Sequence, residues 1–170
     1  PDAFLAMGRE VLAKQPFSIL VGGAGTGKTS VLAALIRGVN EARGGEKFLL
    51  LAPTGKAAVR LERRVREISG LDVQPRTIHS FLSKEGWIDW HTWRPLREGN
   101  PVADGSTTVI IDECSMLDLT LLATVIRALD WRTVRRLILC GDPQQLPPIG
   151  LGAPFKNMVD AFQQPDQSSN

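Results

Sequence analysis

Eight residues constrain this chain more than any others. Gly22-Gly23-Ala24-Gly25-Thr26-Gly27-Lys28-Thr29 follows an apolar, β-branched run at residues 17–21 and opens a helical pattern at residues 28–40. The spacing is G-x-x-x-x-G-K-[ST] between a strand and a helix, which is the context that turns such a sequence into a phosphate cradle. Glycines let backbone N–H groups turn inward without steric cost. The helix N-terminus behind them adds unpaired donors and the positive end of its dipole. Lys28 brings a mobile cation for β- and γ-phosphates, and Thr29 brings a hydroxyl for Mg2+. Ser30 continues the cradle into the helix.

The rest of the chain repeats the same alternation. Apolar runs at residues 47–51, 107–111 and 136–140 read as buried strands, and residues 55–68, 119–129 and 154–162 read as helices. Residues 3–13 carry apolar positions at helical spacing, residues 75–82 read as a turn with a short helix, and residues 86–105 as irregular or hairpin-like. The strands are near-continuous apolar runs, the mark of a parallel sheet covered on both faces. The expected fold is therefore α/β, in three α/β/α layers around a mainly parallel sheet. Ligands of such sheets bind beyond the carboxyl ends of the strands, so the informative residues should follow each strand.

After the third strand come Asp112 and Glu113, in Val109-Ile110-Ile111-Asp112-Glu113. A buried strand should not end in paired acids unless something neutralises them. Mg2+ would do so for Asp112. Glu113 can then orient an attacking water and accept its proton. The plainer alternative is an acidic cap on the next helix. The fourth strand runs into Cys140-Gly141-Asp142-Pro143-Gln144-Gln145-Leu146-Pro147-Pro148, a loop stiffened by prolines. Gln145 there is a neutral group able to meet a γ-phosphate and report hydrolysis, as switch loops do; alternatively it is a solvated loop residue.

Five segments together carry a family. The cradle, Leu51-Ala52-Pro53-Thr54-Gly55-Lys56-Ala57-Ala58, Thr77-Ile78-His79-Ser80-Phe81-Leu82, Ile110-Ile111-Asp112-Glu113-Cys114-Ser115-Met116-Leu117 and the stretch 141–150 resemble helicase motifs I, Ia, Ib, II and III in that order. The set resembles superfamily 1 helicases of the RecD-like group, related to the exodeoxyribonuclease V alpha subunit and similar to relaxase-linked conjugative helicases. The resemblance implies a P-loop NTPase of RecA-like fold that hydrolyses ATP with Mg2+ to move on single-stranded DNA, 5′-to-3′, in DNA repair or recombination. It implies that the cradle with Lys28 and Thr29 binds the nucleotide, Thr29 and Asp112 the metal, that Glu113, Lys28 and Gln145 act in catalysis, and that Thr54, Gly55, Lys56 and His79 line the DNA path. An ATP-driven switch module without translocation of its own is the alternative.

Some family features have no counterpart. The upstream glutamine that reads adenine is missing, since Gln15 sits too close to the cradle, and Cys114 stands where a small residue such as alanine is common. The later motifs with the arginine finger are absent, so residues 1–162 are expected to be the first of two RecA-like domains, with a second domain of the parent chain and subunits of a nuclease–helicase complex as partners. The start at Pro1 and the polar stretch 163–170 are read as the ragged ends of a fragment.

Composition adds few limits. A net charge of +2 permits a nucleic-acid partner without arguing for one. No apolar run spans a bilayer. Two cysteines make no disulfide framework and are expected as buried free thiols in a reducing, cytoplasmic setting. Lys56 could instead be a solvated lysine behind a helix cap, and His79 a local hydrogen-bonding residue. Trp87, Trp90 and Trp93 are expected to cover a sheet edge or a neighbouring domain rather than stack on bases. Arg60, Arg63, Arg64 and Arg66, interleaved with Glu62 and Glu67, are expected as a solvated helix face.

Overall fold

Apolar side chains that alternate along each strand leave two faces to cover, and helices cover both. In the computed structural model the described residues are 14–89, 91–92, 94–96, 99, 101–102 and 105–163. Their elements are β1 (Phe17–Val21), α1 (Lys28–Arg43), β2 (Phe48–Ala52), α2 (Gly55–Ser69), β3 (Arg76–Thr77), α3 (Ile78–Lys84), β4 (Thr108–Ile111), α4 (Leu119–Ala128), β5 (Arg136–Gly141) and α5 (Pro154–Gln163), with a 3-10 turn at Cys114–Met116. The strands form one sheet in the order β1-β5-β4-β2-β3. All four pairings are parallel.

The register explains the layers. Leu49 and Leu51, Val109 and Ile111, and Leu137 and Leu139 pack towards α3, α4 and α5, into one core with Phe81, Val125 and Phe155. Leu50, Ile110, Ile138 and Cys140 point the other way, into a second core with Leu32, Ile36, Leu61 and Val65 of α1 and α2. Ile110 and Ile138 are fully buried, and burial of each such side chain contributes about 1.5–3 kcal/mol. The result is the α/β/α layering anticipated from the apolar runs.

The differences from the sequence reading are local. The sheet has a fifth strand, the two-residue β3, where a turn was expected. It pairs Leu51 with Arg76 and Ala52 with Thr77, too short a stretch for any periodicity to register. Helix α1 runs to Arg43, beyond the expected 40, and ends at Gly44 with φ 52°. Helix α5 runs one residue into the stretch expected to be a polar tail. The hairpin character of residues 86–105 survives as an antiparallel bridge between Ile88 and Pro95. Trp87 is buried in the first core, with the Arg127 guanidinium 5.9 Å from its ring centroid. Trp90, Trp93, the expected helix at 3–13 and the tail at 164–170 lie outside the described residues.

Because every strand runs the same way, all carboxyl ends share one edge of the sheet. Adjacent strands lie roughly 4.8 Å apart, so β1 and β4, with β5 between them, end roughly 10 Å apart.

Candidate nucleotide site

The loop after β1 is held to the sheet by the Gly22 amide, which donates to the Gly141 carbonyl on β5 at 3.2 Å. Thr26 closes the loop on itself, its hydroxyl donating to the Gly23 carbonyl at 2.9 Å. Gly27 sits just before α1 with φ 89°, a backbone state that side-chain-bearing residues adopt at a cost. The Lys28 ammonium donates to the carbonyls of Gly22 and Gly23, at 2.6 and 2.8 Å. It is thus held over the mouth of the cradle, where incoming phosphate oxygens would compete for the same protons.

Two strand positions away, β4 delivers the acids. Asp112 is buried, with its Oδ1 accepting from the Glu113 amide at 2.9 Å. Its Oδ2 is buried and finds no hydrogen-bond partner among the described residues. Burial pushes its carboxyl above the usual carboxylate range. The neighbouring Cys140 thiol is itself pushed up, by burial and by the Asp112 charge.

Glu113 turns the chain sharply. It is the one described non-glycine residue with positive φ, at 54°, which costs on the order of 1–3 kcal/mol. The turn holds because the Met116 amide donates to the Glu113 carbonyl at 3.0 Å, closing the 3-10 turn. Residues in such conformations cluster at sites where geometry matters more than comfort. The Glu113 carboxylate pairs with Arg60 of α2.

Beyond β5, Gln145 reaches the segment that follows the acids. Its Oε1 accepts from the Ser115 hydroxyl at 3.3 Å. The same hydroxyl accepts from the Asp142 amide at 3.4 Å. Ser115 therefore ties the segment after β4 to the loop after β5, a link the sequence reading did not assign. A Cβ on Gly141 would lie 2.9 Å from the Phe155 ring and 3.0 Å from the Ser115 amide, which fixes glycine where these segments cross.

The loop from Ala24 onward, the acids and Gln145 share one cleft of about 490 Å³, while Gly22 and Gly23 lie outside its lining. Lys28, Thr29, Ser30, Asp112, Glu113 and Gln145 line it, with Ala24, Gly25, Thr26 and Gly27 on its floor. Arg60, Arg63, Arg64 and Glu67 form a wall from α2. Arg60, Arg63, Arg64 and Arg66 are exposed, as expected of a solvated helix face, and the first three also border the cleft. Arg63 and Arg66 do pair within the helix, with Glu67 and Glu62. Arg60 reaches Glu113, and Arg64 donates to the Ser30 hydroxyl at 3.0 and 2.8 Å. Both contacts cross more than thirty residues of chain.

The donors fit Mg2+. A buried carboxylate oxygen and a threonine hydroxyl on the same cleft are part of an oxygen shell that phosphates and waters would complete. Among the described residues no three His, Cys, Asp or Glu side chains converge on a point, so no all-protein metal cage competes with this arrangement.

The candidate DNA residues lie further along the same sheet edge. Thr54 caps α2, its Oγ1 accepting from the Ala57 amide at 3.2 Å. Gly55 and Lys56 are exposed at that helix start, and His79 is half-buried near the start of α3. The β2–β3 pairing puts these two helix starts side by side. Cys114 and Cys140 are buried free thiols, as expected. Among the described residues no helix is long and apolar enough to cross a membrane.

The AAA domain family matches residues 5–168. The RecD subunit of the RecBCD enzyme of Mycobacterium tuberculosis is 36% identical over 168 residues, covering 90% of this chain and 28% of the relative. The corresponding subunit from Haemophilus influenzae is 33% identical, covering 89% and 25%. The ATP-dependent RecD2 DNA helicase of Deinococcus radiodurans is 31% identical over 150 residues, covering 88% and 19%. A crystal structure of the Pif1 helicase from Candida albicans overlaps with a TM-score of 0.46 at 22% identity, covering 88% of this chain and 33% of that one. The chain thus spans less than a third of the length of these relatives.

Proposed function

This chain belongs to the AAA domain family, on the branch of RecD-like superfamily 1 helicases, and from that premise we propose that it is the ATP-hydrolysing motor domain of a DNA helicase. The observation that carries the reading is the convergence of Lys28, Asp112, Glu113 and Gln145 on one cleft from three separate strand ends.

In this reading ATP lies along the loop from Gly22 to Thr29, its phosphates received by inward N–H groups and the α1 N-terminus. Lys28 gives up the carbonyls of Gly22 and Gly23 for the β- and γ-phosphates. Thr29 and Asp112 hold Mg2+, which when bound neutralises charge on the phosphate oxygens. Glu113 orients the attacking water and takes its proton. Gln145 meets the γ-phosphate, and the Ser115 link carries its displacement towards β4. The transition state develops charge that an arginine supplied from a second RecA-like domain would stabilise. Single-stranded DNA runs across the helix starts at Thr54-Gly55-Lys56 and His79, where backbone amides and Lys56 receive phosphates. Movement is 5′-to-3′ by family likeness. A nuclease–helicase assembly is the kind of complex in which such a motor would serve.

Glu113→Gln in the full parent protein tests the reading. ATP binding should persist and DNA-stimulated turnover should disappear. Unchanged turnover would remove Glu113 from the base role. Unwinding assays on duplexes with a 5′ or a 3′ single-stranded tail test direction, and a preference for the 3′ tail would overturn it.

A further inference from the structure

Helix α2 presents three cations on one stripe. Lys56, Arg60 and Arg64 recur every fourth residue and so share a face. Ala57, Leu61 and Val65, one residue on, are buried and lock the helix to the core. The stripe therefore has two ends. Lys56 lies at the helix start, on the edge assigned above to the DNA strand. Arg60 pairs with the Glu113 carboxylate, and Arg64 holds the Ser30 hydroxyl of α1.

The Arg60–Glu113 pair does little for folding. The Arg60 side chain is 59% exposed, and pairs this open contribute little. Its consequence is chemical. The guanidinium engages Oε1 of Glu113 and so fixes which way the carboxylate faces, turning it towards α2 instead of the cradle. We infer that Arg60 is a positioning residue for hydrolysis: it holds the Glu113 carboxylate against α2, and a DNA strand engaging the helix start at Thr54-Gly55-Lys56 draws the stripe away and frees the carboxylate for the attacking water. The inference deepens the motor reading and rests on it. Because α2 is one rigid element touching the strand edge, the base and the cradle helix, a small shift at its start is transmitted to all three contacts.

The test is steady-state ATPase activity of the full-length parent protein with Mg2+, with and without saturating single-stranded DNA. Wild type is compared with Arg60→Ala, Arg60→Gln and Arg60→Lys. The neutral variants should raise DNA-free kcat by roughly five-fold, the factor that an exposed ion pair's strength allows. KM for ATP and the DNA-saturated kcat should stay close to wild type. Arg60→Lys keeps the charge and should return DNA-free turnover towards wild type. Adding Glu113→Gln to Arg60→Ala should abolish the gain. DNA-free turnover that stays flat or falls in the neutral variants overturns the inference, and a rise in KM would make Arg60 a nucleotide ligand instead. A wild-type parent with no Mg-dependent ATPase, with or without DNA, would overturn the motor reading itself and the inference with it.

Discussion

Replacing Asp112 by Asn should make the metal-free protein more stable while depriving it of its metal-dependent stabilisation. Asp112 is 2% exposed, and one of its carboxylate oxygens has no hydrogen-bond partner among the described residues. A buried charged oxygen left unsatisfied costs more than a buried neutral amide in the same place. The bond from the Glu113 amide survives, because Asn keeps an Oδ1 acceptor. A gain of about 1–2 kcal/mol follows for the metal-free state. For a domain of this size that is a rise in Tm of roughly 2–8 °C. The sign also depends on pH. A carboxyl pKa raised by folding means that stability is fully present below the unfolded value and is lost as pH rises through the folded one. The advantage of Asn over Asp should therefore grow from acid to neutral pH and then level off. Saturating Mg-nucleotide should reverse the ranking, since a ligand at a hundred times its Kd stabilises by about 2.7 kcal/mol, and the variant lacks the carboxylate that holds the metal. Thermal melts at several pH values, with and without Mg-nucleotide, decide it. A metal-free Asn variant that melts below wild type, or one stabilised as much as wild type by Mg-nucleotide, would refute the reasoning.

Other outcomes follow from the same geometry. Thr54→Ala removes the α2 cap and should cost about 1 kcal/mol in chemical denaturation, whatever the DNA contact does. Lys56→Ala should weaken single-stranded DNA binding alike for all sequences and lower the slope of log affinity against log salt by about 0.7. Ile110→Ala opens a cavity between β4 and the α1–α2 layer and should cost about 2–5 kcal/mol, read by urea unfolding. Gly27→Ala puts a side chain at φ 89° and should weaken nucleotide binding by distorting the cradle; titration calorimetry giving wild-type affinity would show that the loop tolerates the strain.

How much of this was legible beforehand depended on whether a residue's role is written in its neighbours. The strand-loop-helix around Lys28 and the acids after Ile111 were readable, because an apolar run ending in unneutralised charge has few structural explanations. The layering was readable too, since Leu49 to Leu51 and Val109 to Ile111 are apolar at every position and so need cover on both faces. Strand β3 was not, because two residues carry no period; it exists because Arg76 and Thr77 find the free edge of β2. The roles of Arg60 and Arg64 were hidden by their company. Glu62 and Glu67 sit at pairing distance along the helix and do pair with Arg66 and Arg63, which makes the whole face look solvated. The available clue was phase: Arg60 and Arg64 follow Lys56 at steps of four. Ser115 gave no signal, because its two partners belong to a loop almost thirty residues away.

The most direct examination of the account is a crystal structure of the parent protein with a non-hydrolysable ATP analogue and Mg2+. The β- and γ-phosphates should lie in the loop between Gly22 and Thr29, with the Lys28 ammonium moved onto them and the metal between Thr29 and Asp112. A nucleotide bound elsewhere, or phosphates in the loop with Asp112 turned away from the metal, would contradict it.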